Sequence, residues 1–311
     1  MPAAALPTQA APSMATAGPA SARTSEPGLL PSPASSAAPL PAGQCYLAAA
    51  RGADPRAITG AALAAIGGIG RFVRAGDDVI VKPNICVDYR EPEYAATTNP
   101  QVVAALVELC LAAGARRVRV MDMPFAGAPQ AAYARSGIAE AAEAAGGIME
   151  IMNPAKYREA DVPDGRDLRS VSIYQDLLSA DVVVNVPIAK HHSLARLTLG
   201  GKNLLGVIER PGLIHANMGQ RVADLVSLVR PTVTVIDAVR ILIDNGPSGG
   251  NLGDVREAYT VIASHDIVAA DAYAATLFGL TGDDIPYVRK AAALGLGTLD
   301  LSSIDIQELD L

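Results

Sequence analysis

The chain has 311 residues, 50% of them hydrophobic and 18% charged, which suffices to bury a full core in one large or two modest domains. Its net charge of −7 weighs against a nucleic-acid or acidic-membrane partner, because the long-range field repels phosphates. Three cysteines, Cys45, Cys86 and Cys110, with no Cys-x-x-Cys pair, exclude a disulfide framework and suit a reduced cytoplasm.

Residues 1–43 are Ala, Pro, Ser and Thr with almost no large apolar side chain, so they are expected to form a disordered tail. An α/β domain is expected over 44–311, with lobes at 44–175 and 176–311. There is no basic start followed by an apolar run of a secretory signal, and no stretch reaches the roughly 18–20 apolar residues of a membrane span. A cytoplasmic location without membrane contact is the expectation.

From Tyr46 onward strands and helices alternate. "DDVIVKPN" reads as a short buried strand, and "TTNPQVVAALVELCLAAGA" as a helix with Asn99 as N-cap, Pro100 at the first helical position and Gly114 as the stop. "RRVRVMD" follows as a strand, "PQAAYARSGIAEAAEAAG" as one helix and "GIMEIM" as a strand. After an irregular polar region, "ADVVVNVPI" is an apolar run suited to a parallel sheet buried on both faces. "ANMGQRVADLVSLVR" reads as a helix, "TVTVIDAV" and "YTVIAS" as strands, and "DIVAADAYAATLFG" as a helix. This order predicts an α/β fold, a mostly parallel sheet with helices on both faces and right-handed crossovers.

The apolar strands end in polar clusters: Lys82 and Asn84, Asp122, Lys190 and His192, Asp237, and Ser264 with Asp266. In an open parallel sheet, ligands bind at the carboxyl edge, so these residues are expected to converge on one crevice. Asp122 and Asp266 serve equally well as caps or turn residues. Only five of the 25 basic residues are lysine. Three of these, Lys82, Lys190 and Lys202, stand in the loop motifs, where arginine cannot replace lysine as a neutral base. Between Pro187 and His215 lie three of the four histidines. Strand alternation places Lys190 and His192 on one face and His191 on the other.

Several motifs fail on context. "GGIG" at 67–70 follows a helical stretch and has Val73 where a third small residue belongs; "GGKN" has Asn203 where a phosphate loop needs Ser or Thr. His191, His192 and His215 lack the spacing of a helical zinc pair, and no Gly-x-Ser-x-Gly is present. No metal ligand is therefore assigned. The loop "NGPSGGNLGD" reads as a flexible turn, in which Gly246 and Gly249 allow close approach of a ligand to the backbone.

Together "VIVKPNI", "PIAKHHSLARLTLGGKNLLG", "GLIH", "VIDAV", "NGPSGG" and "ASHDIVAADAYAATLFG" resemble the domain-of-unknown-function 362 family, from Tyr46 to about Leu280. That family commonly has Lys-Thr-His where this chain has Lys190, His191 and His192, which implies that the middle position is dispensable. Some members carry ferredoxin-like iron–sulfur segments, which implies a redox link for part of the family; this chain has no cysteine cluster for such a centre. "GGKNLLGVIERPGLIHANM" is also similar to a segment of lactate racemase-like enzymes, which bind a nickel-pincer nucleotide; the likeness maps onto Lys202 and His215.

The expected function is that of an enzyme acting on a small anionic metabolite. Lys82, Lys190 and Asn203 would hold a carboxylate or phosphate, with Asn84, Asp237, Gly246 and Asp266 completing the ligand site. His192 or His215 would act as acid/base near neutral pH, and Lys202 would stabilise developing negative charge, with mutual pKa depression among the lysines. The alternatives are a non-catalytic cofactor-binding or iron–sulfur-linked redox partner, and a nickel-pincer enzyme. Neither a cofactor nor an oligomeric state follows from these residues.

Overall fold

The computed structural model describes residues 46–311; the tail expected over 1–43 lies outside them. The first half runs β1 Leu47–Arg51, α1 Pro55–Ala65, β2 Asp78–Pro83, α2 Pro100–Ala112, β3 Arg117–Val120, α3 Pro129–Arg135, α4 Ile138–Ala144, β4 Ile148–Met149, β5 Tyr157–Asp161, β6 Ser170–Tyr174 and α5 Gln175–Ser179. The second runs β7 Val182–Val186, β8 Ile188–His192, β9 Arg196–Thr198, α6 Gly200–Asn203, α7 Met218–Val229, β10 Val233–Leu242, β11 Val255–Ser264, α8 Ile267–Thr276, α9 Pro286–Ala293 and β12 Ile306–Asp310.

The strands form an α/β sheet in the order β12-β1-β11-β10-β7-β2-β3-β4, with β8 added on β10 and β9 on β8. Pairing is parallel from β10 through β7, β2 and β3 to β4, and antiparallel where β11 joins β10 and β1. Side chains alternate across it. Ile80, Val183, Ile236 and Ile262 pack with Val222, Val268 and Tyr287 of α7, α8 and α9. Val79, Val81, Val182, Val184 and Val261 pack with Ile58, Val103, Leu106 and Ile138 of α1, α2 and α4. A strand such as β7, buried along its whole length, has apolar residues on both faces because helices cover both.

Local signals explain the element ends. Asn99 Oδ1 accepts from Gln101 N at 2.9 Å, and Gly114 closes α2 with φ of +97°. The single helix expected over 129–146 is two. Gly137 takes φ of +69° and Ser136 Oγ bonds the backbone of Tyr133 and Ile138, so the ladder breaks between α3 and α4. The polar region expected to be irregular contains the hairpin β5–β6, whose buried Tyr157, Val171, Ile173 and Tyr174 join the core.

Pro187 sets the geometry of the site. It has no N–H to offer a neighbouring strand, and the apolar run divides there into β7, which pairs with Val233 and Thr234, and β8, which pairs with Asp237 and Leu242. Because β2 and β7 end together at Pro83 and Val186, β8 carries Lys190 and His192 past the carboxyl edge of the parallel strands.

Three residues expected at strand ends on that edge are placed differently. β11 runs antiparallel to β10, with Ser264 opposite Thr234, so Ser264 and Asp266 sit at the amino edge. Asp266 caps α8 through Val268 N and Ala269 N at 2.8 and 2.9 Å, and its other oxygen accepts from Tyr46 and Thr298. Asp237 is not at a strand end, because β10 continues to Leu242. It is buried, accepts from Asn99 N at 2.7 Å and Val239 N at 3.0 Å, and so anchors the start of α2.

Candidate functional site

A cavity of about 410 Å³ opens at the carboxyl edge. Its wall includes Asn84, Asp122, Lys190, His192, Thr198, Lys202, Asn203 and His215, which come from the segments just after β2 and β3, from β8, β9 and α6, and from the segment before α7.

The three lysines differ sharply in what surrounds them. Lys82, expected to hold an anion, is fully buried and absent from the cavity wall. Its ammonium meets Asp122 Oδ1 at 2.6 Å, Pro83 O at 2.9 Å and Asn203 Oδ1 at 3.0 Å. An ammonium has three donors, so none is left for a ligand. Lys190 donates to Asn84 Oδ1 at 2.9 Å and Ala96 O at 2.6 Å, which leaves one donor on the cavity side. Lys202, only 9% exposed, has no hydrogen-bond partner among the described residues. Burial, reinforced by the charges of Lys190 and Lys82, pushes its pKa down to about 8.

Asn203 is likewise occupied, which corrects its expected role. Its oxygen accepts from Lys82 Nζ and Asn84 Nδ2, and its amide donates to Lys82 O and Asn185 Oδ1. It orders the floor of the site and has no atom free for an anion. Lys82 and Asn203 together fix Asn84, which in turn positions Lys190.

His192 departs from expectation in its chemistry. Its Nδ1 accepts from Leu194 N and Ala195 N at 3.2 and 3.3 Å, so the proton of the neutral ring resides on Nε2. Burial, then Lys202 and Lys190, push its pKa down to about 3. The imidazole therefore stays neutral at physiological pH and offers an N–H rather than a titrating acid. His191 faces away, as alternation requires, and accepts from Gly246 N at 3.0 Å. Gly246 thereby serves the loop: a Cβ there would lie 1.8 Å from His191 O. His215 is exposed at the cavity wall.

Sequence reading missed three supports. Asp271 of α8 is buried and accepts from Gly200 N at 2.6 Å and Gly201 N at 2.9 Å, holding the first turn that presents Lys202. Burial pushes its carboxyl up to about 7. Gly206 packs so closely on the ion pair that a Cβ would stand 1.9 Å from Asp122 Oδ1 and 2.9 Å from Lys82 Nζ. Cys86 also lines the cavity and points its thiol at Pro247 O, 3.6 Å away. The small residues of "GGKNLLG" were the available signal for the first two, since glycine is needed where backbone meets side chain this closely.

The fold and this floor define an α/β protein with a basic crevice at the carboxyl edge of its sheet. The chain belongs to the family of the domain of unknown function DUF362, which residues 79–276 match. It is 28% identical over 248 residues to a thylakoid-associated protein of Synechocystis sp., covering 74% of this chain and 72% of that one. It is also similar in structure to the lactate racemase apoprotein from Thermoanaerobacterium thermosaccharolyticum, at 14% identity and a TM-score of 0.44. That likeness covers 73% of this chain, which spans 56% of the racemase. Among the described residues no helix is long and apolar enough to cross a membrane, and no three His, Cys, Asp or Glu side chains cluster as metal ligands.

Proposed function

We propose that this chain is an enzyme that binds a small anionic metabolite, a carboxylate or phosphate, between Lys190 and Lys202 and moves a proton on it with Lys202. The observation that carries this reading is Lys202, a side chain only 9% exposed that lines the cavity without a protein acceptor for its amine among the described residues. A charged lysine in such a place is satisfied by an anion from outside. With its pKa down to about 8, it exchanges protons near physiological pH, where general acid–base catalysis is most effective. His192 contributes an Nε2–H bond, and Lys190 its remaining donor. The net charge of −7 supports a small-molecule ligand over nucleic acid, since the long-range field repels a phosphate backbone. The buried thiols of Cys86 and Cys110 support a cytoplasmic setting.

The pH dependence tests the reading. Calorimetric titration with inorganic phosphate and with pyruvate is expected to give an affinity set by Lys202 that is level from pH 7 to just below 8, once the ligand's own ionisation is subtracted. Above pH 8 the free ammonium is lost, and affinity falls by up to about tenfold per unit. An affinity that breaks at pH 6.5 and passes unchanged through 8 overturns the assignment.

The role of His192 has its own test. His192→Gln, which keeps an N–H donor, is expected to bind phosphate within a few-fold of the parent, whereas His192→Phe is expected to lose about tenfold. Equal losses in the two variants at equal thermal stability count against a donor role.

A further inference from the structure

The cavity wall combines buried lysines with exposed apolar side chains. The two most exposed large hydrophobic side chains among the described residues, Phe125 at 69% and Leu194 at 67%, both line this one cavity. Met123, Pro124, Pro211 and Pro247 stand in the same wall. Single exposed apolar residues are ordinary on a protein surface. Here, however, the two most exposed large hydrophobic residues among those described share one cavity lining with Lys190 and Lys202.

We propose that the anion seated on Lys190 and Lys202 carries an apolar body, so that the ligand class is an amphipathic acid whose tail covers Phe125 and Leu194. This rests on the reading of the floor as an anion site and extends it to the rest of the ligand. Three observations support it. A volume of about 410 Å³ lies within the range of roughly 300–1,000 Å³ typical of pockets for drug-sized ligands, far more than a phosphate or acetate fills. Lys190 and Lys202 are buried while Phe125 and Leu194, in the same wall, are exposed, the arrangement that an acid inserted head first would complement. Finally, neither Phe125 nor Leu194 offers a hydrogen bond, so a metabolite polar along its whole length would leave both wet and desolvate its own outer groups without partners.

Calorimetric titration with acetate, butyrate, hexanoate and octanoate at pH 7 and fixed ionic strength tests this. Affinity is expected to rise by up to about fourfold for each added methylene that is fully buried, and on the order of a hundredfold from butyrate to octanoate. In the double variant Phe125→Ser, Leu194→Ser the gain is expected to shrink below about twofold per methylene, as part of the tail then stays hydrated. Octyltrimethylammonium, with a similar tail and the opposite charge, is expected not to bind. Short acids that bind with no gain on lengthening overturn the apolar-body proposal while the anion floor stands. So does a gain that survives unchanged in the double variant, or equal binding of the cation. If no acid of any length binds, the floor reading falls and takes this proposal with it. Sedimentation with phosphatidylglycerol vesicles that the double variant abolishes, without any gain along the acid series, assigns the rim to a lipid surface and likewise overturns it.

Discussion

Asp122→Ala is expected to destabilise the fold by about 3–5 kcal/mol, the loss that follows when one member of a buried ion pair is removed and the other stays buried. Lys82 and Asp122 are 0% and 2% exposed and 2.6 Å apart. Without the carboxylate, Lys82 keeps only the neutral acceptors Pro83 O and Asn203 Oδ1, and Ile85 N loses its acceptor as well. Urea denaturation of parent and variant measures the effect. The double variant Lys82→Met, Asp122→Leu separates the worth of the pair from the damage of breaking it, and is expected to recover most of the loss. The pKa directions favour that outcome: burial pushes Asp122 up to about 6 and Lys82 down, so desolvation outweighs attraction in both. A raised carboxyl costs stability above the unfolded-state value, so this group's contribution falls as pH rises from about 4 to 6 and is level beyond. A double variant as unstable as Asp122→Ala would mean that these two side chains stabilise the fold by more than their charges.

The same pair marks how far the sequence could be read. β2, α2 and β7 were legible because their signals are local: an apolar run, Asn99 with Pro100, and Gly114. Alternation also separated Lys190 and His192 from His191, since a strand turns successive side chains to opposite faces. Partners distant in sequence were not legible. Lys82 and Asp122 both end parallel strands, but nothing in "VIVKPN" or "RVRVMD" says that they neutralise each other instead of facing a ligand. Asn203 looked available because its four hydrogen bonds come from residues 82, 84 and 185. Asp266 was misplaced for a topological reason: strand direction is invisible in a hydrophobic run, and β11 is the strand that reverses.

Lys202→Met is expected to make the protein more stable and less able to bind anions, two effects of opposite sign from one substitution. Bringing its pKa from 10.5 down to about 8 corresponds to about 3 kcal/mol of unfavourable free energy at pH 7. Methionine, unbranched and of similar length, removes the charge without opening a large void, so the gain in unfolding free energy is expected to approach that figure. The sign with pH follows from linkage. A lysine whose folded pKa is depressed imposes its full cost below about pH 8 and loses it between about 8 and 10.5. The parent is therefore expected to gain stability relative to Lys202→Met across that interval, with the difference vanishing near its upper end. Affinity for phosphate at pH 7 is expected to drop by about tenfold to a hundredfold, the worth of one charge-assisted hydrogen bond. Lys202→Arg sharpens the distinction, because guanidinium keeps the charge at all relevant pH values; its phosphate affinity is expected to run flat through pH 8. Stability sacrificed at one buried amine is a common mark of a binding or catalytic position. A Lys202→Met protein that is less stable than the parent and binds phosphate equally well would instead make Lys202 a structural side chain and remove the basis for acid–base chemistry in this cavity.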